Sequence, residues 1–90
     1  MNNLIFEGII IRIGDERTFT ANNGSNHVER TIVVETEEQY PQRAAIRVID
    51  QNAQKDFEIG KRVRCWLTLK ANESDTGKWF NDIKAWRIDL

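Results

Sequence analysis

Ninety residues hold one domain, residues 1–90, around a modest core, and leave no room for a second. The single cysteine, Cys65, excludes an intrachain disulfide and a cysteine-cluster metal site. A formal charge of −1 and a pI near 5.8 exclude a strong basic field over the whole molecule. The charge is nevertheless uneven. Residues 1–60 carry six Lys and Arg against ten Asp and Glu, and residues 61–90 carry seven against four, so a basic end sits on an acidic body.

The first predicted strand is Leu4 to Ile13, rich in β-branched residues, with Gly8 in its middle. A glycine inside a strand marks a bulge or bend. Glu7 and Arg12 interrupt the apolar run and no basic segment precedes it, which argues against a signal peptide or membrane span and for a cytoplasmic protein. Gly14 to Asn26 reads as a long polar loop, with Asn22-Asn23-Gly24-Ser25 as its most turn-like part. It contains Arg17 and Phe19, and the ring is read either as a stacking residue or as a lid folded onto the core. His27 to Thr36 is the second strand, and Glu37 to Gln42 a turn with the only proline, Pro41. Arg43 to Asp50 is the third strand, with Arg43 and Arg47 on its outer face. A weak helical turn is expected over Asn52 to Phe57, and Gly60 precedes the fourth strand.

The fourth strand, KRVRCWLTLK, alternates cleanly. Val63, Cys65, Leu67 and Leu69 point one way, and Arg62, Arg64, Trp66, Thr68 and Lys70 the other. ANESDTG then reads as a polar loop, and the fifth strand opens with Trp79-Phe80 and carries Lys84, Trp86 and Arg87. Trp79 and Phe80 fall on opposite faces, so one of the two is expected in the core. Trp86 shares parity with Phe80, and Ile83 and Ala85 with Trp79. Alternation does not decide which set is buried, because a bulge would swap them.

Five strands with a helical piece between the third and fourth predict an all-β OB-fold, a partly open Greek-key barrel whose long first strand bends to pair at both ends. A five-stranded SH3-like barrel is the competing architecture.

Glu35-Thr36-Glu37-Glu38-Gln39-Tyr40-Pro41 and the closing run Trp79 through Ile88 resemble a small OB-fold family best known from Bacteroidetes and their phages. That family is classed as a domain of unknown function (DUF3127-like) and is similar to single-stranded DNA-binding proteins. The resemblance spans nearly the whole chain and implies the fold and single-stranded DNA binding. After Leu90 the chain is expected to lack the glycine-rich linker and acidic tail of bacterial single-stranded DNA-binding proteins. It is therefore expected to be a bare binding core, closer in outline to primosomal replication protein N.

Cations interleaved with aromatics on a sheet suit single-stranded nucleic acid, since phosphates seek charge and unstacked bases seek flat rings. The candidate contacts are Arg17, Phe19, Tyr40, Arg43, Arg47, Arg62, Arg64, Trp66, Lys70, Lys78 and Trp79. For each, the plain alternative is a solvated strand cation or a core ring. Nothing in the sequence calls for catalysis, a metal or a cofactor. His27 is the only histidine, Ser25 stands two residues away, and no carboxylate spacing completes a triad. The expected partners are single-stranded DNA, with RNA left open, and further copies of the chain in a homo-oligomer. An assembly module that binds protein rather than nucleic acid is the alternative.

Overall fold

The computed structural model describes residues 4–90 as six strands and one 3-10 turn. They are β1 (Leu4–Ile13), β2 (Arg17–Thr20), β3 (Asn26–Glu35), β4 (Arg43–Ile49), the 3-10 turn (Asp50–Gln54), β5 (Arg62–Glu73) and β6 (Trp79–Asp89). The sheet runs β1-β5-β6-β4-β3-β2, and an additional β1–β3 pairing closes it into a barrel. With β2 set aside as an insertion between the first two long strands, this is the OB order expected from the sequence.

The long first strand does pair at both ends. Its N-terminal half lies along β5, from Leu4↔Leu67 to Ile9↔Arg62, and its C-terminal half along β3, from Ile9↔Glu35 to Ile13↔Ile32. The exchange happens beside Gly8, where a Cβ would run into the carbonyl of Glu35. Gly8 is thus needed for close approach of a neighbouring strand. Closure on the other side is thin, since β4 and β6 meet in parallel through the one pair Arg47↔Lys84.

The core follows from alternation. Ile10, Ile32, Val34, Ile46, Val48, Val63, Cys65, Leu67, Ala85 and Ile88 fill the barrel, and Ala53 of the 3-10 turn is packed with them. A register shift between Trp66 and Leu67 of β5 leaves Trp86 as the extra residue on β6, because Trp66 pairs Arg87 and Leu67 pairs Ala85. This bulge lets Ala85 and Ile88 both face inward although their spacing is odd. Burial raises the Cys65 thiol to about 11, which makes it a poor nucleophile.

Four expectations need correction. The loop of residues 14–26 contains β2, because Arg17↔Glu29 through Thr20↔Asn26 pair against β3. Phe19 therefore stands on a strand, its ring stacked on that of His27. The helical turn is earlier than expected: the chain is already extended at Lys55 (φ −70, ψ 155), and Phe57 packs on the core from a non-helical segment. β5 continues past Lys70 to Glu73, so Leu69 leaves the barrel and is exposed. Neither Trp79 nor Phe80 is core, at 66% and 57% exposed.

The last two corrections have one cause. β5 and β6 outrun the barrel and form a two-stranded arm, paired from Thr68↔Lys84 to Glu73↔Trp79. Its tip is a tight turn, with Gly77 at φ 83 and its N–H bonded to Ser74 O at 3.0 Å. That left-handed geometry suits glycine.

Candidate nucleic-acid interface

β2, β3, β4 and β6 present one continuous outer face, since they are neighbours in the sheet and the inward positions of β3, β4 and β6 are taken by the core. Cross-strand register places Arg17 opposite Glu29, and Arg47 opposite both Thr31 and Lys84. An ion-pair chain crosses all four strands on this face. Arg17 Nη2 donates to Glu29 Oε1 at 2.7 Å, Arg47 Nη2 donates to Glu29 Oε2 at 2.8 Å, and Arg47 Nη1 donates to Asp82 Oδ2 at 2.7 Å. The Arg47 guanidinium, and after it that of Arg17, holds the Glu29 carboxyl below its ordinary value. Glu29, and after it Asp82, raises Arg47.

The other candidate arginines are paired too. Arg43 meets Glu35 at 2.6 Å, Arg64 meets Glu7 at 2.8 Å, and Arg62 meets Glu37 at 3.0 Å. By contrast Lys70, Lys78 and Lys84 form no ion pair among the described residues. All three lie on the arm or its root. Alternation along the arm puts Lys70, Phe80, Asp82 and Lys84 on the outer face, continuous with Arg47. It puts Leu69, Ile83 and Trp79 on the other face. The arm thus carries two exposed rings, one per face, with unpaired ammonium groups beside them.

The sequence candidates therefore divide by place. Arg17, Phe19 and Arg47 share the outer face, with Lys70 continuing it onto the arm, while Lys78 and Trp79 sit at the arm's tip. Trp66 projects from β5, which β6 separates from β4 around the barrel. Its ring is covered by Arg87 at 4.5 Å, with Arg64 at 5.9 Å and Trp86 at 6.5 Å. Tyr40 is exposed on the turn joining β3 to β4. Arg62 and Arg64 line a cleft of about 510 Å³ with Glu7, Glu37, Glu38 and Asp89. That cleft carries more acid than base and has no aromatic ring in its lining.

Sequence reasoning left Phe80 and Lys84 off the candidate set. It also missed a polar cluster at the β2 end of the outer face. His27 Nδ1 lies 2.8 Å from Asp50 Oδ2 and its Nε2 lies 2.9 Å from Ser25 Oγ. Asp50 has a left-handed backbone (φ 54), a conformation that aspartate tolerates better than most residues. There its carboxylate also accepts the Val28 N–H at 3.2 Å. The two contacts, His27 first, hold the Asp50 carboxyl below its ordinary value. No sequence spacing reveals this cluster, since Asp50 arrives from the end of β4.

The family model described as Domain of unknown function (DUF3127) matches residues 6–89, and the chain belongs to that family. Among solved structures, it is similar to the second OB-fold domain of replication protein A from Methanococcus maripaludis. The TM-score is 0.73 at 10% identity, over 99% of this chain and 83% of that one. The likeness establishes the OB-fold. No curated protein matches the sequence.

Proposed function

We propose that this family member binds single-stranded DNA with little sequence preference, as a non-enzymatic cytoplasmic protein of replication, recombination or repair. The observation that carries the reading is the arm: Phe80 is exposed on the face that Lys70 and Lys84 share and that continues the outer OB face, Trp79 is exposed on the other face near Lys78 at the tip, and the three lysines form no ion pair among the described residues. Rings stack the bases and ammonium groups hold the phosphates. The fold shared with a domain of replication protein A supports a replication setting. Tryptophan fluorescence should be quenched on titration with oligo-dT, and affinity should fall with salt. Parallel titrations with duplex DNA and with RNA fix the preference. No quenching and no binding at low salt would overturn the reading.

A second reading, a protein–protein assembly module, is favoured by the acid partners on Arg17, Arg43, Arg47, Arg62 and Arg64 and by exposed Leu4, Ile5 and Leu69. Self-association belongs to both readings. Among the described residues, β1 from Leu4 to Gly8 pairs only with β5, so one backbone edge there is open to another strand. Sedimentation of a monomer at tens of micromolar would remove the homo-oligomer.

A further inference from the structure

Ser25, His27 and Asp50 have the connectivity of a catalytic triad, but the protons run the wrong way for one. The Ser25 N–H donates to Asn23 Oδ1 at 3.1 Å, which identifies that atom as the oxygen. The Ser25 hydroxyl donates to the same oxygen at 2.6 Å. In that arrangement its proton points to Asn23 and not to His27, the reverse of a nucleophile's. Nearby backbone donors are also in use: Gly24 N–H on Ala21 O and Val28 N–H on Asp50.

With the hydroxyl proton on Asn23, Ser25 Oγ faces His27 Nε2 as an acceptor. Asp50 faces Nδ1 as an acceptor. Both ring nitrogens then donate, which is the imidazolium form. A neutral ring costs one of these contacts: either Ser25 Oγ–H turns from Asn23 to Nε2 and leaves the Asn23 oxygen without it, or a bare Nδ1 lone pair confronts the Asp50 carboxylate. Proton loss thus removes one hydrogen bond, either within the Asn23–Ser25 turn that joins β2 to β3 or between His27 and Asp50.

The same ring supports Phe19. The two centroids are 5.3 Å apart with the planes inclined by 28°, and His27 and Phe19 are cross-strand partners. A protonated imidazole adds cation–π attraction to that stack. The other charged groups on the outer face of the surrounding elements are Arg17 of β2, Glu29 and Glu35 of β3, and Arg43 and Arg47 of β4, paired among themselves, while Arg30 of β3 has the opposite parity. Asp50 is the carboxylate that His27 meets.

We infer that His27 in its protonated form is a positioning residue for Phe19, fixing that ring on the outer face as a base-stacking platform, so that DNA binding weakens as His27 loses its proton. This rests on the single-stranded DNA reading. Histidine is the side chain whose ordinary titration falls between about pH 5 and 8, and the test is oligo-dT affinity across that range at fixed ionic strength. Wild-type affinity should drop about two- to fivefold on raising the pH, the equivalent of one exposed cation–π contact. His27→Gln should bind at the high-pH level with the step gone, and Phe19→Ala should bind more weakly, also without it. Circular dichroism checks that both variants are folded. In the wild type, the Ser25 amide and Phe19 ring NMR signals should titrate together with the His27 ring. Binding with no pH step, or an unchanged step in His27→Gln, overturns this inference alone. No binding at any pH overturns the single-stranded DNA reading and this inference with it.

Discussion

The guanidinium of Arg87 lies over the ring of Trp66, 4.5 Å from its centroid, and the two are cross-strand partners on β5 and β6. Strand alternation puts Trp66 on the basic face of β5, with Arg62, Arg64 and Lys70. The face assignment holds, since Cys65 and Leu67 on either side are buried. The ring is half-buried, however, and one side of it is already occupied. Trp66→Ala is expected to lower stability by about 1–3 kcal/mol, less than the ~3–5 of a fully buried ring. Denaturant unfolding beside oligo-dT titration checks this, with the affinity loss expected to be smaller than for Trp79→Ala.

The arm rings should behave in the opposite way. Trp79→Ala and Phe80→Ala remove side chains that touch little of the core, so stability should be nearly unchanged. Each should cost about 1–3 kcal/mol of oligo-dT binding, the worth of one base–aromatic stack. A Trp79→Ala protein that still shows the full fluorescence quench would place the DNA elsewhere.

Salt dependence separates the lysines from the arginines. Lys70→Gln, Lys78→Gln and Lys84→Gln should each flatten the salt slope of oligo-dT binding by about 0.7. Arg43→Gln should flatten it less, because Glu35 already neutralises that arginine. The readout is log affinity against log salt for the four variants.

Acid should weaken the barrel through Glu29. Its carboxyl is held below the ordinary value by Arg47 and Arg17. A depressed acid contributes stability that is fully present above its ordinary value, near pH 4.3, and that is lost as pH falls through the lower folded value. Thermal melts from about pH 6 down to about pH 2 should therefore show a fall that Glu29→Gln makes shallower, from a lower starting stability.

Gly8→Ala places a methyl group against the Glu35 carbonyl, a backbone atom fixed by pairing with β1. The first strand then cannot pass from β5 to β3 without displacement. A large loss of stability is expected in chemical denaturation, in contrast to Ala at Gly24, where a Cβ meets nothing and only the left-handed backbone resists.

The barrel was legible because its evidence is local. Period-two alternation in Arg62 to Leu67 named the inward side chains correctly, in Arg43 to Ile49 it named the outward Arg43 and Arg47, and Gly8 announced its bend. The arm was not legible, since nothing in the residues from Thr68 to Glu73 distinguishes a strand inside the barrel from one that overhangs it. For Trp86 a bulge set the outcome, and alternation carries no memory across a bulge. The site was harder again. Arg17, Arg43 and Arg47 read as free cations in sequence because their acids, Glu29, Glu35 and Asp82, come from other strands. Asp50 reaches His27 by the same kind of long-range pairing.

The pairing of β1 with β5, and the closure of β4 against β6, also set an order of events during synthesis. Until Arg62 and the residues after it emerge from the ribosome, the N-terminal half of β1 has no strand to pair with. Ile10, Ile32 and Val48 meanwhile lack Val63, Cys65 and Ile88 against which to pack. The nascent chain must carry an incomplete sheet with an apolar face open to its surroundings, the condition in which unpaired edges seek other chains. Such non-local pairing also slows folding, toward the millisecond-to-second range of all-β barrels. The residues that complete the core and those that build the arm are thus translated together, and the overhanging hairpin exists only once the barrel beneath it can close.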